Sequence, residues 1–393
     1  MNKALKYTII ISAILIIGMI GLYFYLIQTD ERVENLGDIT DVYIFGRPTI
    51  PQDTEVIDTT TGDVLDYISI EDKTETKPAS FRKISSEPVS GFFAGDGFVR
   101  YTDRVTGHIF EVSTLSTTQK RISNTTIPKI YEAIWLDEDS SIIRYLDDNH
   151  NIKSFYIDSV ESEEIEGVFL QDNMKEIIKA GESIFYLLTD NTGSRGIVSD
   201  YNGDNKTQIF ESPLTEWLIQ RPQEGTITFT TKPAYGVGGF MYFFDTTTGV
   251  MTKILDNING LTTLTSSDKT KVLFSETSRN IFGLNIYNIK DDVVENLAVQ
   301  TFPEKCVWSE NSFVIYCGAP SSVQSGEYPD EWYQGIVSFS DIILKIDLEQ
   351  EIIDIIISPE EPIDIIKPAL SPKEDYLYFI NKKDLSLWGL ELK

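Results

Sequence analysis

A short stretch late in the chain brings together residue types that commonly bind ligands. Within residues 318–340, a segment rich in Gly, Pro and Ser, stand Tyr328, Asp330, Glu331, Trp332 and Tyr333. Tyr and Trp are frequent anchors at binding interfaces, and aromatic rings beside carboxylates suit sugars. These five residues are therefore the candidate binding site. The alternative is structural, with the segment folding back as a cap on the domain and Trp332 buried.

Asp330 and Glu331 also raise an enzymatic alternative. Two carboxylates about 5–10 Å apart can flank and cleave a sugar bond, although adjacent residues on a strand point in opposite directions. The sequence contains no Gly-x-Ser-x-Gly or His-Glu-x-x-His pattern, so serine or zinc hydrolysis lacks support. We therefore predict no catalytic residues, no metal site and no cofactor.

Cys306 and Cys317 are the only cysteines. They flank a predicted hairpin turn at residues 309–312, so we expect them opposite each other, or one pair offset, on paired strands. That separation suits a disulfide, and an oxidising compartment outside the cytoplasm would permit it. Two separate half-buried thiols are the alternative, whereas a metal site lacks further soft ligands.

The other polar candidates have plainer explanations. The two histidines, His108 and His150, lie near predicted turns and have no nucleophile at a recognised spacing. Asp200, Asn202 and Asp204 resemble part of a calcium loop, but the remaining ligand positions of such a loop are missing. A hairpin turn, in which Asn and Asp tolerate left-handed backbone, explains them better.

These residues sit on a repeating pattern of short β-strands. A unit of apolar run, polar turn and apolar run returns about every 40–46 residues, a period typical of propeller blades. Copies lie at residues 137–145, 266–274 and 371–379. The pattern predicts an all-β fold, a seven-bladed β-propeller over residues 81–393, with six or eight blades as alternatives. The last unit offers three strands, so we expect residues 81–86 to supply the fourth and close the ring.

The turns of the repeat resemble those of TolB-type and WD40-like propellers. In the TolB-type family a Ser-Pro-Asp-Gly-like turn joins the first two strands of each blade. Ser-Pro-Lys-Glu at residues 371–374 lacks the Asp-Gly, and Ser-Ser-Asp-Lys at residues 266–269 lacks the Pro. Residues 328–335 are similar to a segment of uncharacterised membrane-anchored bacterial propellers. The resemblance implies a propeller fold with a protein-docking role and carries over no catalytic residues.

The amino-terminal part of the chain predicts a membrane anchor. Residues 8–27 form an uncharged, mostly apolar run, long enough for a helix to cross a bilayer. Lys3 and Lys6 precede the run and acidic residues follow it, so residues 1–7 should be cytoplasmic and the rest extracytoplasmic. Residues 28–80 then form an acidic stalk. A cleaved signal peptide is the rival, but the run is long for one and lacks an Ala-x-Ala site.

The net charge of the chain indicates which class of partner it binds. The formal net charge is −28, and such a surface repels phosphate backbones, which disfavours nucleic-acid partners. We therefore predict a membrane-anchored, extracytoplasmic propeller that docks an envelope protein or peptide without catalysis. The alternative is a carbohydrate-binding or carbohydrate-active protein that takes a glycan and uses the carboxylates near residues 318–340.

Overall fold

The computed structural model describes residues 80–124, 126–160 and 167–392. Within these ranges the chain forms seven four-stranded antiparallel sheets. Short runs of β-branched and aromatic residues favour such strands because their side chains pack well against neighbouring sheets. Each sheet is one blade of a propeller.

The strands follow one another in chain order, beginning with β1 (Phe81–Ser85). Blades 1 to 3 comprise β2 (Val89–Ala94), β3 (Phe98–Asp103), β4 (Ile109–Ser113) and β5 (Gln119–Arg121); β6 (Ile130–Trp135), β7 (Ser141–Leu146), β8 (Ile152–Ile157) and β9 (Gly167–Phe169); and β10 (Met174–Ala180), β11 (Ser183–Asp190), β12 (Gly193–Asp200) and β13 (Thr207–Ser212).

Blades 4 to 6 continue the series with β14 (Trp217–Gln223), β15 (Thr226–Thr231), β16 (Gly238–Asp245) and β17 (Met251–Asn259); β18 (Thr263–Thr265), β19 (Lys271–Ser278), β20 (Ile281–Asn288) and β21 (Val293–Asn296); and β22 (Cys306–Trp308), β23 (Val314–Pro320), β24 (Asp341–Asp347) and β25 (Ile352–Ile357). The last strands are β26 (Ile365–Leu370), β27 (Tyr376–Asn381) and β28 (Leu387–Glu391). A 3-10 helix, Pro303–Lys305, precedes β22, and a one-turn helix, α1, spans Asp330–Tyr333.

Blade 7 closes the ring with strands from both ends of the described chain. Its strand order is β26, β27, β28, β1, with Phe81 opposite Leu390 and Lys83 opposite Trp388. The Phe81 ring also stacks on Trp388, with ring centroids 5.1 Å apart. The all-β fold, the count of seven blades and the closure by an amino-terminal strand are therefore confirmed.

Apolar clusters between adjacent blades form the core. Leu273 and Leu284 of blade 5, for example, pack in one cluster with Leu344 and Ile346 of blade 6. The first strands of several neighbouring blades also contact one another, as β2 and β6 do. The first strand of each blade therefore lies nearest the axis, and the fourth is an outer edge.

Three predicted segments lie outside the described residues. They are the cytoplasmic residues 1–7, the membrane helix 8–27 and all but the last residue of the stalk 28–80. In the part of the chain that the structure describes, no helix is long and apolar enough to cross a membrane.

Candidate functional site

Blade 6 carries a long insertion between its second and third strands. The other described blades connect these strands with two to six residues, whereas residues 321–340 lie between β23 and β24. We call residues 321–340 the insertion. It begins later than the predicted loop 318–340, because residues 318–320 still pair with β24. In an antiparallel blade this connection lies on the same face as the connections between blades.

Backbone contacts fasten the insertion to the neighbouring blades. The Gly326 amide donates to the Asn280 carbonyl at 3.0 Å, and the Thr277 hydroxyl donates to the Tyr328 carbonyl at 3.2 Å. The Tyr235 amide of blade 4 donates to an Asp330 carboxylate oxygen at 2.7 Å. The insertion is thus held against blades 4 and 5 as well as its own.

Three aromatic rings of the insertion and two from outside it form one buried core. Phe282, Phe302, Tyr328, Trp332 and Phe339 are all buried in one cluster. The rings of Phe282 and Phe302 stack with centroids 4.0 Å apart, and Trp332 lies 5.1 Å from Phe302. Burial of large rings contributes substantial hydrophobic free energy, and edge or stacked contacts add to it.

A buried ion cluster lies directly beside these rings. The Lys305 ammonium is within 2.7 Å of Asp341 and 2.5 Å of Asp364, and all three side chains have 0% exposure. We call these three residues the anchor triad. Lys305 also donates to the Ile365 carbonyl at 3.2 Å, so all three donors of its ammonium have acceptors.

Asp364 joins the triad to the insertion. It accepts the Trp332 indole N–H at 3.1 Å, the Ser338 hydroxyl at 3.1 Å and the Phe339 amide at 3.0 Å. Such a set of donors stabilises a carboxylate away from water. Burial raises the pKa of Asp341, although Lys305 opposes the shift.

Lys382 completes the underside of the insertion. Its ammonium donates to the Trp332 carbonyl and lies 4.4 Å from the centroid of the Trp332 ring. Burial lowers the pKa of Lys382 to about 8, with the nearby Lys305 acting in the same direction and Asp364 opposing it. Trp332 is therefore contacted through its ring, its indole N–H and its backbone.

The structure separates the five predicted site residues into two groups. Tyr328 and Trp332 are buried, with 0% and 2% of their surfaces exposed. Asp330 and Glu331 are half-buried in α1. Tyr333 is 40% exposed, and its hydroxyl donates to Glu304. Burial of Tyr328 and Trp332 fits the capping alternative for these two rings, and binding by the other three residues stays a prediction.

Exposed apolar side chains nevertheless surround the insertion. Ile336 of the insertion is 69% exposed. Val237 lies in the corresponding connection of blade 4 and Ile281 is the first residue of β20, directly after the corresponding connection of blade 5; they are 57% and 42% exposed. We call Val237, Ile281, Tyr333 and Ile336 the insertion surface. Three consecutive blades contribute to it on one face of the propeller.

Sequence reasoning missed the anchor triad and Lys382. Lys305 and Asp364 are separated by 59 residues, so no local spacing connects them. One signal was available: Asp341 and Asp364 each adjoin isoleucines at the start of an apolar strand. A carboxylate in such a position predicts a buried partner, because an unpaired buried charge is strongly disfavoured.

The two cysteines lie where the predicted hairpin puts them. Cys306 of β22 is directly opposite Cys317 of β23, and the structure joins them in a disulfide with a Cα–Cα distance of 4.1 Å. The bond ties the innermost strand of blade 6 to the strand that leads into the insertion.

The remaining candidates occupy turns. His108 lies 3.2 Å from the Thr126 hydroxyl, and His150 adopts a positive φ of 62° in its turn. The Asp200 carboxylate accepts from the Asn205 side chain at 2.6 Å, as in a closed hairpin. Among the described residues no group of three or more His, Cys, Asp or Glu is placed to hold a metal ion.

Comparisons with known proteins confirm the fold. No family model and no curated protein matches the chain. Among solved structures, an oligogalacturonate lyase from Vibrio parahaemolyticus is 8% identical, with a TM-score of 0.56 over 79% of this chain and 93% of that one. The β-propeller domain of the Trilobed protease from Pyrococcus furiosus is 11% identical, with a TM-score of 0.53 over 78% and 96%.

A chain of the mitotic checkpoint complex matches with 9% identity and a TM-score of 0.52, over 85% of this chain and 99% of that one. TolB from Acinetobacter baumannii and the tricorn protease, of which the chain spans 28%, have TM-scores of 0.41 and 0.36 and support no argument. At these identities the likeness concerns the fold alone. The predicted resemblance to propeller proteins is confirmed at that level.

Proposed function

We propose that this protein is a membrane-anchored, extracytoplasmic propeller that docks an envelope protein or peptide on the insertion surface. One observation carries the proposal. The insertion is fixed from below by buried rings and the anchor triad, while Tyr333 and Ile336 remain exposed above them. Loops held by a rigid scaffold are frequent binding elements, and exposed apolar groups grouped on one face indicate an interaction site.

One similarity in fold and the character of the exposed surface also support docking. One of the solved structures that this chain is similar to in fold is a chain of the mitotic checkpoint complex. The predicted site also offers exposed aromatic and aliphatic surface, the kind that anchors protein interfaces.

The proposed location rests on the amino-terminal sequence and on the cysteines. The uncharged run 8–27 with lysines before it and acids after it favours an uncleaved anchor with the propeller outside. A disulfide between Cys306 and Cys317 suits an oxidising compartment. Alkaline extraction should leave the full chain in the membrane fraction, and external protease should digest its propeller in intact cells. Release by alkali or protection from protease would contradict this location.

Site-specific cross-linking in cells tests the docking proposal. A photoreactive residue at position 336 should give a discrete adduct, which the double variant Val237→Asp and Ile281→Asp should lose. Leu115 provides the matched control, because it is 66% exposed but lies in a connection between third and fourth strands, on the opposite face. Absence of an adduct at 336, or the same adduct at 115, would reject docking on the insertion surface.

Carbohydrate binding or cleavage is the second candidate, and the similarity in fold to an oligogalacturonate lyase favours keeping it. Asp330 and Glu331 are adjacent in α1, and Asp330 already accepts the Tyr235 amide. The purified protein should turn over or bind a glycan if this candidate holds, and Asp330→Asn should abolish turnover. If the protein bound no glycan in a broad panel, the carbohydrate candidate would be rejected and docking would remain as the proposed function.

A further inference from the structure

A groove separates the outer strands of blades 5 and 6, away from the insertion surface. It encloses about 450 Å³. Apolar side chains, among them Ile286, Leu297, Phe313 and Ile353, line it together with four carboxylates, Glu295, Asp347, Glu349 and Glu351, and one cation, Lys271. The Lys271 ammonium lies over the Phe313 ring, 4.3 Å from its centroid, so the lining combines apolar surface with a net negative charge, and we call its carboxylates the acidic rim.

β25, the outer strand of blade 6, borders this groove with an unusual sequence. It reads Ile-Ile-Asp-Ile-Ile-Ile, and Ile352, Ile353 and Ile355 are 44%, 43% and 64% exposed. Three of the other six outer strands, β1, β5 and β17, carry basic residues, as β5 does with Lys120 and Arg121, whereas β9, β13 and β21 carry none. Such charges normally protect an edge from pairing with another chain. β25 lacks them and pairs, among the described strands, with β24 alone.

The exposed isoleucines extend the core outward rather than standing alone. Ile353 lies opposite Ile346 and Ile355 opposite Leu344 in the sheet register. Leu344 and Ile346 belong to the buried cluster shared with blade 5. A strand added beside β25 would continue this apolar face and pair with the backbone groups that no other described strand contacts.

Charge indicates which strand fits there. Residues 349–361 contain five acids and no basic residue, and Glu349, Glu351 and Asp354 are exposed. A second copy of β25 would place like charges together, which disfavours self-pairing. A segment with lysines or arginines flanking its apolar residues would complement the rim.

We propose that β25 binds an extended, basic, β-branched peptide segment by strand addition, with its apolar side chains in the groove between blades 5 and 6. This site is separate from the insertion surface and does not depend on the docking function proposed there. The partner is defined by its chemistry: alternating β-branched residues supply the apolar contacts, and terminal cationic residues meet the acidic rim.

Fluorescence anisotropy with synthetic peptides tests the proposal on the full chain. The probe is a labelled peptide of alternating valine and threonine with lysines at both ends, and its control carries glutamates in their place. We expect saturable binding of the lysine peptide, weakened by added salt, and none of the glutamate peptide. Ile355→Lys should weaken binding by roughly tenfold or more, because it places a cation on the apolar strand face.

Val168→Lys is the matched control, because Val168 is an exposed valine (47%) on the outer strand β9 of blade 2. It should bind the lysine peptide like the unchanged protein, and both variants should keep the same melting temperature. Replacing Glu349 and Glu351 with lysine should weaken binding as well. Equal binding by Ile355→Lys, equal binding of the two peptides, or no binding of the lysine peptide would overturn the proposal. Concentration-dependent dimerisation abolished by Ile355→Lys would overturn it too, in favour of a second copy.

Discussion

At Lys305 a fully buried ammonium meets two carboxylates and a backbone carbonyl. Lys305→Met keeps most of the side-chain volume but removes the cation from between Asp341 and Asp364. Removing one partner of a buried ion pair destabilises the folded protein by about 3–5 kcal/mol, because the remaining charge is buried and unpaired. We expect a loss of that size in the free energy of unfolding, measured by urea denaturation.

Lys129→Met is the matched control for this change. Lys129 pairs with Asp148 at 2.9 Å, but the two side chains are 66% and 93% exposed. Exposed pairs contribute about 0–1 kcal/mol, so the variant should unfold nearly like the unchanged protein. Similar small losses for both variants would show that the anchor triad adds little to stability.

The lowered pKa of Lys382 predicts that the stability of the folded protein depends on pH. Burial lowers its pKa to about 8 in the folded protein, against an ordinary value of 10.5. Between these values the unfolded chain binds the proton and the folded chain does not, so stability from this site rises with pH from about 8 to 10.5.

The Lys382→Met variant lacks this titration. The difference in unfolding free energy between the unchanged protein and the variant should therefore be constant below about pH 7 and move in favour of the unchanged protein above about pH 8. Chemical denaturation at several pH values measures it, with Lys129→Met as the reference. A flat difference, or one of opposite slope, would contradict the lowered pKa.

At this scale the sequence was informative only where residues lie near each other in the chain. Cys306 and Cys317 flank one hairpin, so strand pairing alone predicts that they face each other. Lys305 finds Asp341 and Asp364 through tertiary packing across blades 6 and 7, which no spacing encodes. Trp332 stood out by type, but type alone does not say whether a ring points inward or outward.

Among the contacts that attach the insertion, those of Trp332 involve its ring, its indole N–H and its backbone carbonyl. Trp332 packs against Phe302, donates its indole N–H to Asp364 and accepts from Lys382 through its carbonyl. Trp332→Ala should destabilise by about 3–5 kcal/mol because it opens a large cavity. Trp332→Phe keeps a ring and should lose about 1–3 kcal/mol, chiefly because it removes the indole hydrogen bond to the Asp364 carboxylate.

Limited proteolysis measures how firmly Trp332 holds the insertion in place. A glutamate-specific protease should cut at Glu327 or Glu331 faster in Trp332→Ala than in Trp332→Phe, and slowest in the unchanged protein, because local opening exposes the segment. Equal cleavage rates in all three would mean that the insertion is held by its other contacts and not by Trp332.

The insertion itself was predictable as a break in the repeat, whereas its conformation was not. Its composition of Gly, Pro and Ser predicts a loop, and the structure indeed has only one helical turn there, α1. What decides its path is a set of partners contributed by blades 4, 5 and 7, among them Tyr235 and Lys382. Such contacts of high sequence separation leave no local trace in the sequence.

The whole fold follows from the sequence more directly than the site does. The period of the repeat and its turn residues predict the number of blades, because each four-stranded sheet buries both faces only against two neighbours. The same reasoning predicts closure, because the last unit, from about residue 365 to residue 392, offers only three strands and leaves an edge that another strand must cover.

The closure of the ring by β1 leads to a prediction about the stability of the whole propeller. A chain starting at Ser80 retains β1 and should unfold cooperatively with the stability of the full propeller, whereas one starting at Pro88 lacks it. The shorter chain exposes the edge of β28 and loses Phe81, which stacks on Trp388 and Phe379. We expect it to lose at least about 3 kcal/mol of unfolding free energy, from the buried ring alone, and to associate through the free edge. Urea denaturation and sedimentation compare the two chains. If both were equally stable and monomeric, the ring would be held by the contacts between blades, with β1 as an accessory strand rather than the closing one.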